Sequence, residues 1–162
     1  MAIHGTSLAN PMICRCVFAL LLVCCVYAGD SGDHVQYVGG TISALPTKTD
    51  GFINTHGEDL FLFQSKGVTV QIPYEKINVL EYGQRVSRRY AEAVILSPVF
   101  LLAKTRKHYL TVEFTDDRGK QQAMVFLASK NDVRSLLVIL EAKSGRRIEY
   151  QDDDARRSGK GS

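Results

Sequence analysis

The sequence predicts a mainly β domain, of the α+β class, closed by one C-terminal amphipathic helix. Three observations carry this expectation. Apolar and polar residues alternate at period two through most of residues 35–128, glycine-bearing turns separate the alternating runs, and the period shifts once to that of a helix after Ser129. The expected architecture is a barrel or sandwich of about six or seven antiparallel strands.

The strands follow in order. "YVGGTISALP" and "GFINTHG" read as short strands joined by the turn-rich "TKTD". "DLFLFQS" (59–65) leads through Ser65-Lys66-Gly67 into "VTVQIPY", where Val68, Val70 and Ile72 alternate with Thr69 and Gln71. After Pro73, "KINVLEYGQR" supplies another strand. "HYLTVEFTD" places Leu110, Val112 and Phe114 on one face and Tyr109, Thr111 and Glu113 on the other. "DDRGK" is a hairpin connection with Gly119 set for positive φ, and the next strand is read with Ala123, Val125 and Leu127 continuing the buried face. Ser129 followed three residues later by Asp132 is a helix start. Val133, Leu136, Leu137 and Leu140 form one helical stripe, and Gly145 is the C-cap, with Lys143, Arg146 and Arg147 near the negative end of the dipole.

The two ends are read differently. "CVFALLLVCCVYA" is an apolar run followed by the polar "GDSGDH", the layout of a secretory signal peptide over residues 1–28, with Val26 and Ala28 as the small residues before a cut at Gly29. The run is shorter than the roughly 20 residues of a membrane span. An uncleaved signal, or lipidation at Cys24 in "LLVC", would anchor the protein to the membrane instead. Cys14, Cys16, Cys24 and Cys25 all fall in this segment, so an exported chain would carry no disulfide and no redox cysteine. Residues 29–34 form a short linker and 35–147 the domain. Residues 148–162, ending "DDDARRSGKGS", read as a disordered charged tail in which adjacent Asp152, Asp153 and Asp154 point apart and do not suggest a metal site.

Strands followed by one closing helix, together with "GVTVQIPYEKINVLEYG" (67–83), resemble the bacterial pleckstrin-homology-like and GRAM-like domains. The resemblance covers residues 35–147. It implies two nearly orthogonal sheets whose open corner is plugged by the helix from Ser129 to Gly145. It does not carry phosphoinositide binding: "PTKT" offers only Lys48, and the chain has no tryptophan.

Catalytic and ligand-binding chemistry is sparse. No serine sits in a G-x-S-x-G elbow, Gly39-Gly40 lacks the lysine and helix of a phosphate cradle, and His34, His56 and His108 are scattered. "HGED" (56–59) suits a turn, Asp116-Asp117 suit the hairpin, and His108 is read as a surface histidine. No cofactor or metal is expected. The net charge is only +3, yet Arg85, Arg88, Arg89, Lys104, Arg106 and Lys107 crowd one window whose single acid is Glu92. Export and the lack of interleaved aromatics argue against nucleic acid. Between the two basic clusters lies "AVILSPVFLLA" (93–103), too short to span a bilayer and interrupted by Pro98. In a domain of the resembled kind this position would be an inter-strand insertion. It reads as core filler, as an apolar finger for a lipid interface, or as a patch for a protein partner.

The functional expectation is an exported, periplasmic or secreted, non-enzymatic binding or scaffold module. Its interaction surface would be Arg88, Arg89, Phe100, Leu101, Leu102, Lys104, Arg106 and Lys107, facing a protein partner or an anionic membrane surface. A small hydrolase with an acid–base pair assembled in space is the alternative. The export expectation has a direct check: the intact mass of the secreted chain should correspond to an N-terminus at Gly29 with no free thiol. A mass that retains residues 1–28 would refute it.

Overall fold

The computed structural model describes residues 32–86 and 107–160. They hold β1 (Asp33–Gly40), β2 (Thr49–Asn54), β3 (Leu60–Ser65), β4 (Val68–Pro73), a 3-10 turn (Tyr74–Lys76), β5 (Ile77–Gly83), β6 (His108–Thr115), β7 (Gln121–Ala128), α1 (Lys130–Ser144), β8 (Ile148–Tyr150) and α2 (Asp153–Lys160). The eight strands make one mixed sheet in the order β4-β3-β2-β1-β7-β6-β5-β8. All neighbours pair antiparallel except β5 and β8, which run parallel. The sheet is open, with β4 and β8 as its outer strands, and is not closed into a barrel.

Local chemistry explains the connections. Gly67 (φ 82°) and Gly119 (φ 76°) take the left-handed conformation that the β3–β4 and β6–β7 hairpins require. In the second hairpin, Asp116 Oδ1 accepts from the amides of Arg118 and Lys120 at 2.9 and 2.8 Å, so the acid is a turn-former. Hydrogen bonds from the Gln122 amide and then from the Lys120 backbone hold the Asp116 carboxyl below its ordinary pKa.

α1 keeps the expected caps. The Ser129 hydroxyl accepts from the Asp132 amide and donates to Asp132 Oδ2, and Gly145 (φ 67°) closes the helix by donating its amide to the Glu141 carbonyl. Its stripe of Val133, Leu136, Leu137 and Leu140 is buried against the inner face of the sheet. Three basic side chains then tie the helix down. Lys143 Nζ donates to the Thr55 and Gly57 carbonyls at 2.8 Å each, Arg146 Nε to the Ile77 carbonyl at 3.0 Å, and Arg134 Nε to the Ser158 carbonyl at 2.9 Å.

The inner face is aromatic. Phe126 of β7 packs against Tyr37 of β1 and against Phe61 and Phe63 of β3, with ring centroids 6.1, 6.1 and 5.1 Å apart. β3 and β7 are three strand spacings apart, which is about 14 Å in a flat sheet. The sheet therefore curls so that distant strands share one core. Gly51 on the intervening β2 makes room, since a Cβ there would come within 2.7 Å of the Phe63 ring. Bulges between Tyr37 and Gly39 and between Ile77 and Val79 add local bending.

Several expectations change. The barrel or sandwich becomes a single open sheet, and the closing helix is followed by a second. Residues 148–162, expected to be a disordered tail, carry β8 and α2. Ile148–Tyr150 pair with Leu80–Tyr82, and Ala155 and Gly159 pack α2 onto the aromatic Tyr82 and Tyr150. Small residues four apart present a flat helical face, which needs no large apolar residue to dock.

The inner face of β7 is also not the expected one. Val112 stands opposite Met124, so Met124, Phe126 and Ala128 join Leu110, Val112 and Phe114 in the core, while Ala123, Val125 and Leu127 face the other way. Because "AMVFLA" is apolar at both parities, only the pairing register selects the face. Residues 1–28 and all of 88–106 lie outside the described residues. Among the described residues no helix is long and apolar enough to cross a membrane.

Two neighbouring positions on α1 test this packing. Leu136→Ala should cost about 2–5 kcal/mol in chemical denaturation because Leu136 is fully buried. Val138→Ala, at a site 68 % exposed, should change stability by less than about 0.5 kcal/mol. Equal effects would mean that the helix does not use this stripe.

Candidate functional site

Antiparallel pairing places Gly83 opposite Tyr109, so the chain leaves β5 and re-enters β6 at neighbouring points. Arg85, which is exposed, and Lys107 stand near these two points, at the roots of the two basic clusters. Of the expected interaction surface, Lys107 falls within the described residues. Arg88, Arg89, Phe100, Leu101, Leu102, Lys104 and Arg106 lie outside them.

Lys107 lines a cavity of about 620 Å³ at the junction of the ends of β1, β6 and β7 with the start of α1. His34, Gln36, Asp50, His108, Lys130 and Asp132 contribute its polar lining. The charges are mixed and several are already engaged. Gln36 Nε2 donates to Asp50 Oδ1 at 3.1 Å, and the Asp132 carboxylate accepts the Ser129 hydroxyl at 2.7 Å. His34 meets Phe52 edge-on, with centroids 5.4 Å apart, on the outer side of the sheet.

The unforeseen member is His108. Expected at the surface, it is only 8 % exposed, because it shares the parity of Leu110, Val112 and Phe114 and so points to the inner face. Its Nδ1 shares a 2.5 Å hydrogen bond with the hydroxyl of Tyr82, and the two rings are parallel within 3° at 6.0 Å. Tyr82 is itself fully buried, edge-on to Tyr150 at 6.1 Å and covered by Gly159, where a Cβ would come within 3.2 Å of the ring.

Burial pushes the Tyr82 phenol up to about 12, so it stays neutral. Burial first, then the nearby cations Lys130 and Arg134, push the His108 imidazole below its ordinary value. The pair is thus a neutral hydrogen-bonding unit between the cavity and the C-terminal helix. The sequence held one signal for it, the parity of His108 with the buried residues of β6. Its partner, 26 residues away, is set by the sheet register.

Chemically, this arrangement can hold a small polar group through hydrogen bonds and charges of both signs. The serine at its rim, Ser129, has its hydroxyl committed to capping α1. Among the described residues no group of three His, Cys, Asp or Glu side chains converges to hold a metal ion. "HGED" forms the β2–β3 connection, where Asn54 Oδ1 accepts from the His56 amide at 2.9 Å. No protein-family model matches the chain, and no curated protein matches it.

The His108 environment sets a pH dependence. The folded pKa lies below the unfolded value of 6.5, so the unfolded chain takes up this proton first as the pH falls. This group's contribution to stability is complete above about pH 6.5 and is lost progressively as the pH drops toward the folded pKa. Urea unfolding between about pH 8 and pH 5 should therefore show a steeper acid-side loss for the native sequence than for His108→Gln. His34 and His56 remain as common background in both proteins. Parallel curves would mean that His108 is not buried in its neutral form.

Proposed function

We propose that this protein is an exported, non-enzymatic binding module with pleckstrin-homology-like architecture. In this reading it contacts an acidic surface through the basic residues around the β5–β6 connection. The meander β4-β3-β2-β1-β7-β6-β5, curled around a helix that follows β7, is what supports the architecture. The parallel β8 and the helix α2 are additions to that plan.

One observation carries the functional reading. Pairing of Gly83 with Tyr109 gathers the roots of two basic clusters that are about twenty residues apart in the chain. In the sequence Arg85, Arg88 and Arg89 follow β5 and Lys104, Arg106 and Lys107 precede β6, with Glu92 as the single acid between them. Such a concentration of like charge attracts an anionic partner and speeds its encounter. The mixed cavity beside Lys107 adds polar groups at its foot. The filled inner core supports binding over hydrolysis as well: the stripe of α1 occupies the inner face, and the imidazole of His108 is paired with a neutral tyrosine.

Between the two acidic surfaces in view, an anionic membrane is the primary reading. About 1 kcal/mol per basic residue near such a surface gives reversible binding when six act together. Co-sedimentation with vesicles containing phosphatidylserine should show binding that weakens strongly from low to high salt. Arg88→Glu with Arg89→Glu should reduce it by at least about tenfold. Salt-independent association, or none, would refute the membrane reading. Retention on an acidic protein surface in place of vesicles would transfer the site to a protein partner.

A further inference from the structure

The two outer edges of the sheet differ. At β5 the chain covers its own edge, because Ile148–Tyr150 of β8 pair with Leu80–Tyr82. At β4 no strand lies beyond Val68–Pro73 among the described residues. Bare edges are commonly blunted by charges along the strand or by a bulge. β4 has neither: no charged residue stands between Lys66 and Glu75, and all six of its residues pair with β3 in unbroken register. Thr69 and Gln71 are exposed, while Val68 and Val70 pack on the main core and are only partly buried.

The direction of the free backbone groups follows from the turn that ends the strand. The Tyr74 amide donates to the Asp59 carbonyl at 3.0 Å, continuing the ladder in which Pro73 stands opposite Leu60. Amides alternate in direction along a strand, so Val68, Val70 and Ile72 share this direction toward β3, and Thr69, Gln71 and Pro73 face outward. Pro73, which has no amide hydrogen to offer, thus sits where β3 loses nothing by it. The outward donors and acceptors belong to Thr69 and Gln71.

We propose that β4 pairs antiparallel with β4 of a second copy of this chain, about a two-fold axis at Val70. In this register Thr69 of each copy stands opposite Gln71 of the other, and their outward amides and carbonyls satisfy one another. Val70 meets Val70 across the axis and Val68 meets Ile72, which completes the burial of the two valines. Pro73 falls opposite Gly67 of the hairpin turn, and the ladder stops there at both ends. Charge selects this occupant and this direction. The exposed Lys66 of each copy lies one position from the exposed Glu75 of the other, whereas a parallel pairing in register would set Lys66 against Lys66 and Glu75 against Glu75. The contact is small, of the weak and reversible class that buries less than about 1,200 Å². It stands on the geometry of β4 and holds independently of the membrane reading.

The test uses the full chain with Cys14, Cys16, Cys24 and Cys25 changed to serine. Sedimentation equilibrium from about 5 to 500 µM should show a reversible monomer–dimer association. Gln71→Pro removes an outward amide and no bond to β3, so it should weaken association by at least about tenfold while the urea midpoint of the dilute protein stays in place. A monomer at every concentration, or a dimer that Gln71→Pro leaves intact, would overturn the proposal. Cysteine pairs read the register without a proline. Under mild oxidation Val70→Cys should link to itself, and Thr69→Cys should link to Gln71→Cys when the two proteins are mixed but not to itself. Self-linking of Thr69→Cys as fast as that of Val70→Cys, or no linking of Val70→Cys, would also overturn it.

Discussion

Contact between Phe126 on β7 and Phe61 and Phe63 on β3 is the constraint around which the molecule is built. α1 has fifteen residues and is about 22 Å long, while eight strands laid flat would extend about 34 Å from first to last. One helix of that size cannot cover such a face. Curling brings the inner side chains of distant strands onto one another and leaves a smaller opening for α1 to fill. The absence of a side chain at Gly51 and the two bulges on β1 and β5 are the local permissions for that curl.

The edges of the sheet then have different fates. At the β5 edge, the parallel strand β8 takes up the backbone groups of Leu80–Tyr82, and α2 follows it to cover Tyr82 and Tyr150 with Ala155 and Gly159. At the other end, β4 is left as an edge strand whose side chains include the exposed Thr69 and Gln71, and Pro73 closes it. The C-terminal segment is thus part of the packing. The Arg134 guanidinium, donating to the Ser158 carbonyl, joins α2 back to the same helix that fills the core.

Tyr82 and His108 show how the fold makes a chemical environment from ordinary residues. Neither is unusual in sequence. β5 and β6 bring them together, Gly159 closes over the tyrosine ring, and the desolvation that follows keeps both groups neutral. The cations Lys130 and Arg134 on α1 reinforce the effect on the histidine. This unit lies beside the points where the chain leaves β5 and enters β6.

Local rules were enough to read seven antiparallel strands, the positive-φ glycines of two hairpins and both caps of α1 from the sequence, although the first strand, expected within 37–46 after a linker, begins already at Asp33. These depend on neighbours one to four residues away, as with Ser129 and Asp132 or Leu110 and Val112. What failed depends on partners far along the chain. "AMVFLA" is apolar on both faces, so pairing of Met124 with Val112 decided which one is core. The tail lacks large apolar residues, yet Ala155 and Gly159 pack because two tyrosine rings stand where they arrive. His108 became an interior residue through the register of β6 and its contact with Tyr82. Of the candidate site, the sequence by itself determined the charge and the apolar run. The tertiary structure decided that Gly83 and Tyr109, on the strands that flank this stretch, stand side by side, because only strand pairing makes residues so far apart in the chain into neighbours.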